Sequence, residues 1–106
     1  IAAPLIERDG DAFYNACVLF DAAGRRVGHW RKRHPWIPET WATPGNLGTP
    51  VVEWRGFRVA AAICYDLHFI EELDGDLFLF PSAWVQEGPV TRVPRLRTCM
   101  PAGPTF

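Results

Sequence analysis

The sequence predicts an α/β layered fold. Three observations predict it: apolar runs of strand length rich in branched and aromatic residues, turn residues between them, and one short helical pattern between the last two runs. Residues 13–20 (FYNACVLF) read as the first strand. Asp21-Ala22-Ala23-Gly24 is a turn in which Gly24 is free to take positive φ, and residues 27–32 return as a second strand to make a hairpin. Residues 34–50 carry four prolines and read as an ordered loop. A second hairpin follows, from residues 51–54 through a tight turn at Arg55-Gly56 to residues 57–64. Residues 59–63 (VAAAI) do not alternate, as expected of a strand buried on both faces. Residues 67–73 (LHFIEEL) predict a short helix, and residues 76–80 (DLFLF) a further buried strand closed by Pro81-Ser82. Residues 1–85 form the expected core. Residues 86–106 read as an irregular tail with one helical turn around 95–99.

Composition narrows the function classes. The chain has 106 residues, a net charge of −1, 48% hydrophobic and 22% charged residues, so it has material for a core and is not disordered by composition. The near-neutral balance argues against a dedicated binder of nucleic acid or of an anionic membrane surface. The longest strictly apolar run is seven residues, 59–65, where a bilayer span needs about 20. The start lacks the pattern of a signal peptide, and its first residue, Ile1, suggests a piece of a longer chain. Cysteines at 17, 64 and 99, with no CxxC spacing, argue against a disulfide framework or structural zinc and for a reducing cytoplasm. No metal or other cofactor is expected.

Cys64 is the most informative position. It closes a buried strand just before Tyr65-Asp66 and the expected helix. A sharp strand-to-helix turn lifts a side chain out of a sheet, and N–H groups there stabilise a thiolate and a developing oxyanion. The alternative is a buried structural cysteine, which is the reading for Cys17 inside its apolar strand. Five of the eleven Lys and Arg residues fall between Arg25 and Arg33, next to Trp30 and Trp36. They read as a solvated charged strand, as a basic aromatic patch for nucleic acid, or as one lysine, Lys32, turned inward among solvated arginines. An inward lysine needs a charge partner, and Glu39 in the proline-bounded loop is available. Glu7, Asp9 and Asp11 read as solvated loop acids. Ser82 and Trp84 follow a buried strand, where α/β proteins keep their ligand crevice.

Five segments together resemble the carbon–nitrogen hydrolase (nitrilase) superfamily. They are Glu7-Arg8-Asp9-Gly10-Asp11 with Tyr14-Asn15-Ala16, Gly28-His29-Trp30-Arg31-Lys32-Arg33-His34, Pro35-Trp36-Ile37-Pro38-Glu39 with Pro44-Gly45, Ala62-Ile63-Cys64-Tyr65-Asp66-Leu67-His68-Phe69, and Asp76-Leu77-Phe78-Leu79-Phe80-Pro81-Ser82-Ala83-Trp84. The resemblance implies a partial α-β-β-α sandwich. It implies Cys64 as nucleophile, Lys32 as catalytic lysine, Glu39 as a supporting glutamate, and Tyr65, Ser82 and Trp84 around the oxyanion and substrate pocket. The implied activity is hydrolysis of a small amide, carbamoyl amine or nitrile through a cysteine thioester. The base glutamate of the family lies upstream of the tyrosine-asparagine strand and matches no residue here; Glu7 corresponds to a different acid. Ile70 and His68 stand where the family usually has proline and often has arginine. The chain therefore reads as a central fragment, inactive by itself, that acts on no nucleic acid and no membrane. The alternative is a non-catalytic truncated copy serving as an interaction module through exposed sheet edges, with self-association left open.

Overall fold

The computed structural model describes residues 1–70 and 72–83, together with the backbone of residues 95–97. Strands β1 (Ala2–Asp9), β2 (Ala12–Phe20) and β3 (Arg26–Arg31) form an antiparallel sheet in that order. Strands β4 (Val52–Trp54) and β5 (Phe57–Ala61) form a hairpin, to which β7 (Leu77–Leu79) adds in parallel beside β5. Between β5 and β7 the chain makes a 3₁₀ helix, Cys64–Phe69, and strand β6 (Glu72–Asp74), which pairs in parallel with β8 (Arg95–Arg97).

Both hairpins expected from sequence are present, and local chemistry accounts for their turns. Asp21 Oδ1 accepts the N–H groups of Ala23 and Arg25, each at 2.9 Å, and Gly24 takes φ 77°. The β4–β5 loop has two residues, Arg55 at φ 51° and Gly56 at φ 79°, the pair of positive angles that a right-twisted two-residue hairpin favours. Asp76 pins β7 onto β5: its N–H donates to the Arg58 carbonyl and its Oδ2 accepts the Arg58 N–H.

The core sits between the two three-stranded sheets. Strand alternation puts Cys17 and Leu19 of β2 and Trp30 of β3 on one face, where they cluster with Val59, Ala61 and Ile63. Burying a side chain such as Leu19, Val59 or Ile63 contributes about 1.5–3 kcal/mol. Ala60 and Ala62 are buried as well, so β5 is covered on both faces, as its unbroken apolar run predicts.

Three expectations are corrected. The segment with Glu7 and Asp9 is not a solvated loop but the eight-residue edge strand β1. Leu5 and Ile6 are both exposed, so the segment has no alternation to signal a strand, and pairing with β2 decides its conformation. The helix expected at 67–73 is the 3₁₀ helix, and it starts at Cys64. Ile70 leaves it in extended conformation, and Leu73 is buried in β6 instead. Residues 95–97 are a strand and not a helical turn. The rest of the tail, residues 86–94 and 98–106, lies outside the described residues. The described part is thus mostly strand, and no α-helix occurs among the described residues.

Candidate active site

The period of two along β3 separates two neighbouring cations. Arg31 points to the outer face of the first sheet, and Lys32 continues the inner face of Gly28 and Trp30. Lys32 is only 1% exposed. Its N–H donates to the Asn15 carbonyl at 2.7 Å, and its carbonyl accepts the Gly45 N–H at 2.7 Å. The proline-bounded loop folds back through successive turns, with the Glu39 N–H on the Trp36 carbonyl and the Ala42 N–H on the Glu39 carbonyl. This return brings the Glu39 carboxylate to the ammonium: Lys32 Nζ donates to Glu39 Oε1 at 2.6 Å. A buried ammonium with a carboxylate on it satisfies the pairing that burial demands. Glu39 Oε2 is buried and has no hydrogen-bond partner among the described residues.

Cys64 directly follows Ile63, the last buried position of the run that begins in β5. It is half-buried, packs against the core cluster, and has φ 47°. Positive φ is unfavourable for a residue with a Cβ and marks a sharp turn held by its surroundings. The hold comes from the adjoining strand end, since the Cys64 N–H donates to the Pro81 carbonyl at 2.9 Å. The helix that follows has six residues of 3₁₀ geometry, so the dipole contribution expected from an α-helix is weaker here.

Asp66 ties the two segments together. It is 5% exposed and accepts the Arg33 N–H at 3.1 Å and the His34 N–H at 2.8 Å, while His34 Nδ1 lies 3.0 Å from its Oδ1. The carboxylate two residues after Cys64 therefore clamps the two residues that follow Lys32. His34 stacks on Phe69 with ring centroids 3.8 Å apart, which reinforces the same junction. Tyr65 is half-buried and meets His68 and Phe69 edge-on. A cleft beside the clamp is lined by Arg33, His34, Ile63, Asp66, Phe69 and Ile70 among others, but by none of Cys64, Lys32 and Glu39. Ser82 is exposed. Trp84 lies outside the described residues.

Sequence reasoning missed two participants. Asp66 stands in sequence only as part of the motif around Cys64, because its partners lie more than thirty residues earlier. Glu7 is not solvated as its loop-like surroundings in sequence suggest: its Oε1 and Oε2 accept Arg31 Nε and Nη2 at 2.8 and 3.0 Å. Arg31 itself is 7% exposed, against the expectation that the arginines of this stretch stay in water. Alternation along β3 is the signal that separates Arg31 from Lys32, but it shows no partner.

The family model described as carbon-nitrogen hydrolase matches residues 1–73. The chain belongs to the carbon–nitrogen hydrolase family. A formamidase of Photorhabdus laumondii is 42% identical over 72 residues, covering 63% of this chain and 21% of its own length. A citrullinase of Francisella tularensis is 33% identical over 96 residues, covering 78% of this chain and 33% of its own. Among solved structures, a carbon–nitrogen hydrolase superfamily protein of Xanthomonas campestris, with an arsenic adduct in its active site, superposes with a TM-score of 0.66. Its identity is 23%, over 78% of this chain and 36% of that one, so the likeness is one of fold. The chain spans about a fifth of the formamidase and a third of the citrullinase.

Proposed function

We propose that this carbon–nitrogen hydrolase segment carries the nucleophile and the lysine of a site that hydrolyses small non-peptide amides through a cysteine thioester. The observation that carries the reading is the buried Lys32–Glu39 pair at 2.6 Å, with the two residues after Lys32 bonded through their N–H groups to Asp66, two residues after Cys64. Formamidase relatives favour a small acyl group, and the citrullinase favours a carbamoyl amine as the related substrate.

The chemistry follows from these groups. The Cys64 sulfur, having given its proton to a base, attacks the amide carbon. An S–C bond forms, and the carbonyl electron pair moves to oxygen. The Lys32 ammonium and the Tyr65 backbone N–H hold that negative charge. The C=O bond re-forms as the C–N bond breaks, and the nitrogen leaves with a proton as ammonia or an amine. Water then adds to the thioester, the acid departs, and the thiol is regenerated. Glu39 holds the Lys32 ammonium in place through its Oε1. Both proton transfers require a carboxylate base. No acid of this chain matches the family's base, and Glu7 is occupied by Arg31. The isolated chain is therefore expected to turn over no amide, and to be acylated only by a reagent whose leaving group departs without a base. A reducing cytoplasm suits a working thiol of this kind.

An activated ester such as p-nitrophenyl acetate tests this reading, because its leaving group needs little help from a base. The expected result is one acetyl group, mapped to Cys64 by peptide mass spectrometry and lost in Cys64→Ala, with no multiple turnover of formamide. Acetyl spread evenly over the three cysteines contradicts the nucleophile assignment. Formamide turnover that Cys64→Ala abolishes contradicts the inactivity of the isolated chain.

A second reading, an interaction module, is favoured by β1, whose outer edge pairs with no strand among the described residues. Concentration-dependent self-association with an inert Cys64 supports that reading over the first. The nucleic-acid reading loses ground, since Arg31 and Lys32 are buried in ion pairs.

A further inference from the structure

We propose that Asn46 is a positioning residue for Lys32: through Asn46, the ion network on the outer face of the first sheet grips the loop that keeps the ammonium on Glu39. This deepens the hydrolytic reading in giving Lys32 a function, but the geometry stands without it.

Arg31 and Lys32 are neighbours that face opposite ways, and the outer-facing one is anchored far more heavily than a surface strand needs. The Arg31 guanidinium reaches three elements. It donates to Glu7 and, through Nη2, to Asp9 Oδ2 at 3.2 Å on β1. It lies 4.0 Å over the Tyr14 ring of β2. Its Nη1 donates to Asn46 Oδ1 at 2.8 Å on the loop. His29 Nε2 lies 2.8 Å from Glu7 Oε1 and completes the cluster. The carboxylates fix the guanidinium, so Asn46 is tied to a rigid post.

Asn46 follows Gly45, whose N–H donates to the Lys32 carbonyl. A Cβ on Gly45 would lie 2.5 Å from the Arg31 carbonyl oxygen, so the loop is pressed against the Arg31–Lys32 backbone as closely as glycine allows. Two residues before Gly45, the Thr43 N–H donates to the Phe13 carbonyl. Glu39 is carried on the stretch that these anchors close. Releasing Asn46 therefore loosens the seat of the loop on Lys32 without touching the Lys32–Glu39 pair itself. The Asn46 residue is exposed, so its replacement leaves the core intact.

The test uses a feature of the sequence: Lys32 is its one lysine. Acetylation of the full chain by a water-soluble N-hydroxysuccinimide ester, followed by peptide mass spectrometry, reads the exposure of Lys32 against an added lysine-containing reference peptide. Asn46→Ala is expected to speed Lys32 acetylation about tenfold relative to the reference peptide, equivalent to ~1.4 kcal/mol of lost local protection. Asn46→Asp retains an oxygen for Arg31 and is expected to restore the slow rate. Urea below the unfolding transition is expected to leave the Asn46→Ala rate flat, as for a local opening. Equal Lys32 rates in the wild type and Asn46→Ala overturn the proposal, and so does a rate that climbs steeply with urea or an Asn46→Asp chain as reactive as Asn46→Ala. Failure of the hydrolytic reading shows separately, as an unreactive Cys64 with Lys32 still protected by Asn46.

Discussion

Glu7 is where a single side chain couples this fold to pH. Its hydrogen bonds from Arg31 pull the carboxyl from the ordinary 4.5 down to about 2, with His29 helping and partial burial opposing. The folded state therefore holds this proton less tightly than the unfolded chain does. The stabilisation is fully present above about pH 4.5 and is lost as pH falls toward 2. Glu7→Gln is expected to lower stability at neutral pH by about 1–3 kcal/mol, because the buried guanidinium loses its anionic partner. It is also expected to flatten the fall in urea midpoint between pH 4.5 and pH 2. Parallel pH profiles for the wild type and the variant contradict this role. Asp66 acts on the candidate site in another way, as an acceptor of two backbone N–H groups. Asparagine offers one oxygen and no charge there. Asp66→Asn is expected to cost about 1–3 kcal/mol by urea denaturation and to raise the reactivity of the sole lysine. Neither acid was legible as a clamp, because a carboxylate shows nothing of partners that pairing brings from 22 to 33 residues away. Lys32 was legible as a candidate only through the alternation of β3 and the need of a buried ammonium for an acid.

The loop between β3 and β4 behaves as a structural element although it has no regular geometry. It is fastened at Thr43, Gly45 and Asn46, and by Trp30 Nε1 donating to the Pro50 carbonyl at 2.8 Å. Gly45→Ala forces a methyl group into the Arg31 carbonyl, and either the loop or the strand must move. The expected cost is about 1–3 kcal/mol in a chemical melt, with the exposure of Lys32 increased. A fully stable Gly45→Ala chain with Lys32 still protected would show that the close approach is dispensable. The hairpins were legible because Asp21-Ala22-Ala23-Gly24 and Arg55-Gly56 specify their own turns. The 3₁₀ helix was misplaced because residues 67–73 have an apolar spacing that serves a helix or a strand equally. Burial of Leu73 in β6 decided between them.

At the scale of the molecule, two sheets share one core and the candidate site lies where the ends of β3 and β5 meet through the Asp66 clamp. The fold class was legible as strands with a crossover. The helical layers implied by the family resemblance do not occur among the described residues. The chain spans a fifth to a third of its relatives, and exposed apolar side chains such as Ile37 at 87% and Trp36 at 50% suit a surface that larger proteins cover. No helix among the described residues is long and apolar enough to cross a membrane. The central claim is that the sulfur of Cys64 and the ammonium of Lys32 serve one site, so that removing the cation changes the reactivity of that sulfur. Its most direct test is the rate of iodoacetamide alkylation, mapped cysteine by cysteine at neutral pH, in the wild type and in folded Lys32→Met. The account predicts that Cys64 outpaces Cys17 and slows several-fold in Lys32→Met while Cys17 does not change. A Cys64 rate indifferent to Lys32 would contradict it.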